Sequence, residues 1–446
     1  MRRRTLLAPL LALLLVLAGC VGPVGDLNPI GHDRAAGEDP IGWESGYWYD
    51  DSLSVTTEDG LNESERAAVL ARTKARVERL RDREFEGNVS VEVITRAQYR
   101  NQSGGPGGAG TEDHWNDQVW EALLLVGEDS GTGQALGETY NTSVQGYYSP
   151  ASDNITIVSD SPTPTIDRAT LSHELVHALQ DQYGNFGDTP ATQDRQLAHQ
   201  SVTEGEANYI QWTYRDRCEN QWQCIPRPGR EGGGDGGSSG GTPDDGVFVT
   251  IYQPYATGPG LIDQRYQDDG WDGVEQLYEN PPNSTEQVIH PDRYPDEEPV
   301  NVTVPDRSDE EWERFDHAPV ADTAGEASIY AMLLTNDAVS PDQWFRYRSD
   351  ASAGWGGDSI VPYRNGSGGY GYVWAIEWDT PEDAREFETA YRSILEQRAS
   401  ERPHENVYRL PDSDAFGDAF RVTRSGTRVR IVNAPTVEGL DAVHGE

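Results

Sequence analysis

Two histidines stand four residues apart in TLSHELVHALQDQYGNF (170–186), His173 and His177, and Glu174 directly follows the first. On a helix, positions i and i+4 share a face, so both imidazoles can reach one ion while the glutamate projects beside them. Metal-assisted hydrolysis of a peptide bond needs three protein ligands, an open position for water, and a carboxylate that takes the proton of that water. The segment supplies two ligands and the carboxylate. For the third ligand, TEGEANYI (203–210) offers Glu204 and Glu206. Two residues apart on a helix means about 200° in direction, so both cannot face one ion. One turn after Glu204 stands Asn208, whose side chain can accept a hydrogen bond from a ligand histidine and fix its tautomer. One turn after Glu206 stands Ile210, which suits a core stripe with Val202. The expected centre is therefore His173, His177 and Glu204 around a zinc ion, with Glu174 as general base and later proton donor, and Asn208 behind a histidine. The competing reading of the segment is an ordinary amphipathic helix whose histidines lie on a polar face or in the core. Weaker candidates for stabilising an oxyanion are His290, Tyr294 and Tyr209, for each of which packing is the alternative role.

These residues need elements to hold them. The run NESERAAVLARTKARVERLRDR (62–83) has helical periodicity, with Val69, Leu70, Val77 and Leu80 on one broad face, and VSVEVIT (89–95) alternates as a strand. HWNDQVWEALLLVG (114–127) reads as a helix, and TSVQGYYSPASDNITIVSD (142–160) as two strands joined by a Ser-Pro-Ala-Ser-Asp turn. The HELVH helix that follows is expected to start at an N-cap on Thr165, with Asp167 in the first turn, and to stop at Gly184. A further helix covers about 194–217. Residues 247–345 read as helix and loop, and the last hundred as strands around one long helix, PEDAREFETAYRSILEQR (381–398). The expected fold class is α+β.

Composition narrows the setting. The formal net charge is −41, Lys74 is the single lysine, and nucleic acid is excluded as a partner. The 12 Trp, 21 Tyr and 8 Phe are more aromatic surface than a solvated acidic coil requires, so a folded domain with an acidic coat is expected. That balance resembles proteins of salt-loving archaea, in which molar salt screens the repulsion between carboxylates. MRRRTLLAPLLALLLVLAGC carries a basic start, an apolar run too short to span a bilayer comfortably, and Cys20 after small residues. It resembles a lipoprotein export signal, and Arg3-Arg4-Thr5-Leu6-Leu7 resembles a twin-arginine signal. Lipid on Cys20 would then be the only membrane attachment, at the extracellular face. Outside the cell, Cys218 and Cys224 are expected to form a disulfide. Eight Asn-x-Ser/Thr sequons are compatible with surface glycosylation.

The HELVH segment and TEGEANYI together resemble the gluzincin branch of the zincin metallopeptidases. His173, Glu174 and His177 match the first motif, and TEGEANYI looks like the EGFAxY-type third-ligand helix of gluzincin aminopeptidases, with Glu206 in place of Phe. Gly205 would permit close backbone approach there, and Asn208 departs from the aspartate often found at that place. The resemblance implies that the strands around Gly146-Tyr147-Tyr148 and Ile155 to Val158 form an edge along which an extended peptide substrate lies. GLNESERAAVLARTKARVERLRDREF (60–85), ENPPNSTEQVIHPDRY (279–294) and the GWGGD turn (354–358) resemble an uncharacterised group of haloarchaeal surface lipoproteins that carry HExxH.

The organisation expected from these readings is a signal peptide over 1–19, a lipid-anchored tether over 20–45, a zincin-like metal-binding domain over 46–228, a Gly-rich insertion or linker over 229–246, a mostly helical region completing the cleft over 247–345, and a small α+β module over 346–446. The expected function is a surface zinc metallopeptidase acting on peptide or protein through a metal-activated water. The alternative is a non-catalytic surface lipoprotein that uses a zincin scaffold for binding or cell-envelope architecture. Glu174 argues against the alternative, because a structural metal has no use for that carboxylate.

Overall fold

The computed structural model of the protein describes residues 39–55, 60–102, 113–144, 146–158, 166–225, 245–340 and 344–445. The export signal, Cys20, the tether as far as residue 38, residues 229–244 of the Gly-rich run, and Thr165 lie outside the described residues.

In chain order, β1 (Trp43–Glu44) and β2 (Tyr47–Trp48) make a short antiparallel pair, followed by α1 (Glu63–Arg81), β3 (Ser90–Ile94) and α2 (Arg96–Gln102). Next come α3 (His114–Ala122), α4 (Thr132–Ser143), β4 (Gly146–Ser149), β5 (Asn154–Val158), α5 (Arg168–Gln182) and α6 (Gln193–Asn220). The middle of the chain holds α7 (Asp245–Glu279), interrupted at Asp269 and Gly270, then α8 (Thr285–Ile289), β6 (Trp312–Arg314) and α9 (Gly325–Thr335). The rest is β7 (Trp355–Asn365), β8 (Tyr370–Trp378), α10 (Pro381–Arg398), β9 (Glu401–His404), β10 (Val407–Arg409), β11 (Ala419–Ser425), β12 (Arg428–Ala434) and α11 (Gly439–His444). The protein is thus mixed α+β. No described helix is long and apolar enough to cross a membrane.

The chain forms two compact units. The first comprises Met1–Pro106, Tyr140–Gly187 and Glu206–Gly237; the second comprises Gly107–Thr139, Asp188–Gly205 and Ser238–Glu446. The division falls inside the uninterrupted α6, between Gly205 and Glu206.

In the first unit, α1 begins on a capping box in which Asn62 accepts from the Glu65 amide and Glu65 accepts from the Asn62 amide, two reciprocal bonds that satisfy donors the helix start leaves open. Asn62 is one of the sequon asparagines, and its Oδ1 is the acceptor in this cap. Val69 and Val77 are buried as the periodicity predicts, but so are Arg72, Lys74, Arg76 and Glu78. These charges are buried because they are paired: Lys74 meets Glu44, and Arg76 donates to the carbonyls of Tyr49 and Gln223. Cys218 and Cys224 form the disulfide expected from their spacing, with Cα atoms 5.5 Å apart.

The small sheet runs β3-β5-β4, with β3 parallel and β4 antiparallel to β5. β5 is therefore the central strand, paired on both sides. Of the two segments expected to form an edge, only Gly146–Ser149 does so; Ile155 to Val158 cannot, because its backbone groups are already used. α5 starts at Asp167, whose carboxylate accepts from the amides of Ala169 and Thr170, so the cap is two residues later than the one read at Thr165. It stops where expected, with Gly184 at φ +71°.

The second unit contains an antiparallel seven-stranded sheet in the order β6-β7-β8-β12-β11-β10-β9. One face packs Trp355, Trp374 and Trp378 against Phe387 and Tyr391 of α10 and against Trp115 and Val119 of α3. The other packs Val361, Tyr363 and Val432 against Leu440 and Val443 of α11. Burial on both faces removes the apolar–polar alternation by which a strand is read. GWGGD, expected as a turn, instead leads into β7 at Trp355, with a register shift between Trp355 and Gly357. Asp358 is buried there and accepts from the indoles of Trp355 and Trp374, each at 3.0 Å.

Candidate metal centre

His173 and His177 stand on α5, and their Nε2 atoms are 3.0 Å apart. Both side chains are buried, as is Glu204 on α6. One nitrogen from each histidine and one carboxylate oxygen of Glu204 all lie within 4.8 Å of one another. The structure thus groups Glu204, and not Glu206, with the two histidines.

The atoms behind the rings define which nitrogens are available. Asn208 lies one turn beyond Glu204 on α6, and its Oδ1 is 3.0 Å from Nδ1 of His173. On α5, Oε1 of Gln180 is 2.8 Å from Nδ1 of His177. The Gln180 amide cannot turn round, because its Nε2 donates to Glu206 at 2.9 Å and a carboxylate only accepts. Glu206 in turn forms a buried ion pair with Arg81 of α1. The Gln180 oxygen therefore accepts from Nδ1 of His177, which leaves that ring's Nε2 on the side of His173 and Glu204, and the Asn208 oxygen stands in the same position behind His173. A buried His-His-Glu group arranged in this way can hold a metal ion.

Glu174 is fully buried on the same helix, with its carboxylate beside β4: a Cβ added at Gly146 would sit 3.5 Å from its Oε1. The edge strand is tied to α5 by Tyr148, whose hydroxyl lies 2.8 Å from Asp181 and 2.9 Å from Asp153. Burial and these two carboxylates hold the Tyr148 phenol protonated, well above the usual tyrosine range.

Asn208 was legible in the sequence from its spacing. The second support, Gln180–Glu206–Arg81, was not, although Gln180 is three residues past His177, a spacing that puts two side chains on one helix face. Glu206, read as the carboxylate that does not face the ion, is buried and orients Gln180. Ile210 and Val202 are core residues as expected. Gly205 allows the close approach expected of it, since a Cβ there would lie 2.6 Å from the backbone of Gly258 in α7.

His290 pairs with Glu326 at 3.0 Å in the second unit, where burial pushes its imidazole down to about 4. Tyr294 donates to the Asn280 carbonyl at 2.6 Å. Tyr209 is five residues past Glu204 on α6, about 140° around the helix from it.

Residues 313–444 match a family described as a domain of unknown function, DUF8575. The match takes in most of the seven-stranded sheet and none of the His-His-Glu group. The core of that sheet also draws on Trp115, Val119, Trp120 and Leu123, which lie outside the matched residues. No curated protein and no solved structure matches the chain.

Proposed function

We propose that this chain is a zinc-dependent peptidase of the gluzincin type, anchored by lipid at the outer face of the cell membrane. The observation that carries the proposal is the pair of Nε2 atoms of His173 and His177, 3.0 Å apart and facing Glu204, with Glu174 buried on the same helix. Two imidazoles and one carboxylate are a donor set suited to catalytic zinc, which keeps a fourth position open. A zinc ion held there would supply Lewis acidity, polarising a scissile carbonyl and making water a nucleophile near neutral pH.

The chain's own residues do the rest. Glu174 takes the proton of the attacking water and delivers it to the leaving amine. β4 presents the open edge of the small sheet beside that carboxylate, so an extended peptide can pair with its backbone as an added strand. Asn208 and Gln180 hold both rings in the tautomer that leaves Nε2 for the metal. An antiparallel edge strand, a helix carrying HExxH and a following helix carrying glutamate are together consistent with a zincin-like arrangement.

Glu174→Gln tests the reading. The variant should retain stoichiometric zinc and lose about 10²- to 10⁴-fold in rate against a peptide library digested at high salt. Equal, chelator-sensitive cleavage by both proteins would reject Glu174 as the base, and metal-loaded protein with no cleavage at all would favour a binding role. For the anchor, Cys20→Ser should move the protein from the membrane fraction to the medium. Unchanged membrane retention would count against lipidation.

A further inference from the structure

A second group of potential ligands lies in the second unit, within the seven-stranded sheet region. Glu121 at the end of α3, Glu128 in the loop that follows, and Asp418 just before β11 bring one carboxylate oxygen each within 4.8 Å of one another. They line a cavity of about 360 Å³ that Tyr370 and Gln118 also line. Glu121 and Asp418 are buried, and Glu128 is exposed, which opens the group to solvent. The loop is held in place by the Glu128 amide, which donates to the Ala415 carbonyl at 2.9 Å.

A cluster of carboxylates alone is common on so acidic a protein. Two buried oxygens distinguish this one. Gln118 is 5% exposed, and its Nε2 donates to Glu121, which fixes the opposite end of the amide. Its Oε1 is buried without a hydrogen-bond partner, and so is Oε1 of Glu121. Such oxygens ordinarily cost free energy unless something satisfies them. Arg409 acts electrostatically on Glu128 and Asp418, but its guanidinium donates to the carbonyls of Leu410 and Gly417 and to Asp412. The contrast is Glu286, Glu297 and Asp379, a third acidic group in which Arg293 contacts all three carboxylates and supplies the cation itself.

We propose that Glu121, Glu128 and Asp418, with the Gln118 carbonyl, form a calcium site. All four donors are oxygens, three of them from carboxyl groups, which selects a hard cation over zinc. Magnesium keeps several of its waters and ordinarily takes one or two carboxylates from a protein, whereas calcium accepts six to eight oxygens in flexible geometry, so a group of three carboxylates and a carbonyl favours calcium. The exposed side leaves room for the waters that complete a coordination number of six to eight. The ion would fasten α3 and its following loop to the segment before β11, joining residues outside the DUF8575 match to residues inside it.

The test uses the zinc-loaded mature chain at constant molar KCl, with calcium, magnesium or neither. Calcium well above its Kd should raise Tm by about 2–8 °C, and magnesium should not match it. Terbium should bind at this site with luminescence sensitised through Tyr370 and be displaced by calcium. Glu128→Gln, which alters an exposed side chain and should fold normally, and Asp418→Asn should each weaken calcium binding by about tenfold or more. His173→Ala should leave it unchanged. Absence of a calcium-dependent shift, an equal shift with magnesium, or unaltered calcium binding in both carboxylate variants would overturn the proposal.

Discussion

Replacing Glu206 by alanine should damage the metal centre without touching a ligand, and the structure separates that effect from loss of stability. Glu206 and Arg81 are buried partners, their side chains 1% and 4% exposed. Removing one partner of a buried pair costs about 3–5 kcal/mol, and the loss of the acceptor for Gln180 adds about 1. The sum, about 4–6 kcal/mol, is a large share of the 5–15 typical of a folded protein, so a substantial fall in Tm is expected. Zinc affinity should fall by about 10- to 100-fold as well, because the Gln180 amide loses the acceptor that orients its oxygen toward Nδ1 of His177. The decisive variant is Arg81→Met with Glu206→Met. Removing both charges leaves neither member of the pair buried without the other and should return much of the stability. It does not return an acceptor to Gln180, so zinc affinity should stay low. Thermal melts by circular dichroism and competition against a fluorescent zinc chelator give the two quantities independently. Wild-type zinc affinity in the double variant, or in Glu206→Ala, would refute the argument that Glu206 acts on the metal through Gln180.

Two further predictions concern the frame. Gly205→Leu should destabilise the protein severely or prevent folding, because even a Cβ would stand 2.6 Å from the Gly258 backbone and neither helix backbone can yield; a melt within a degree or so of wild type would show that the approach is not needed. Burial pushes the carboxyl of Asp194 up to about 7 and that of Asp322 up to about 6. Both folded values exceed the unfolded one of about 4, so the folded state binds the extra protons; the stability they contribute is complete below about pH 4 and is lost as pH rises through about 6 to 7. Tm at fixed salt should therefore fall across that window, and Asp194→Asn should flatten the slope; a Tm that rises with pH there would reverse the sign.

The sequence by itself determined the parts of the centre that follow from one helix. HExxH puts two imidazoles on one face whatever surrounds it, and the same geometry separated Glu204 from Glu206 and placed Asn208 a turn beyond Glu204. Capped, periodic segments such as α1 and α10 were legible for the same reason: their signals lie within a few residues of one another. Only the tertiary structure decided what depends on packing from distant parts of the chain. Gln180 is local to His177, but its orientation comes from Glu206 and Arg81, the latter 125 residues from Glu206 in sequence. β4 became the edge and β5 the centre because β3 pairs on the far side of β5, a choice no strand pattern encodes. β7 was hidden because both of its faces are covered, which erases alternation. The carboxylates of Glu121, Glu128 and Asp418 meet because folding joins α3 to the sheet nearly three hundred residues later, and at that distance sequence spacing carries no information about proximity.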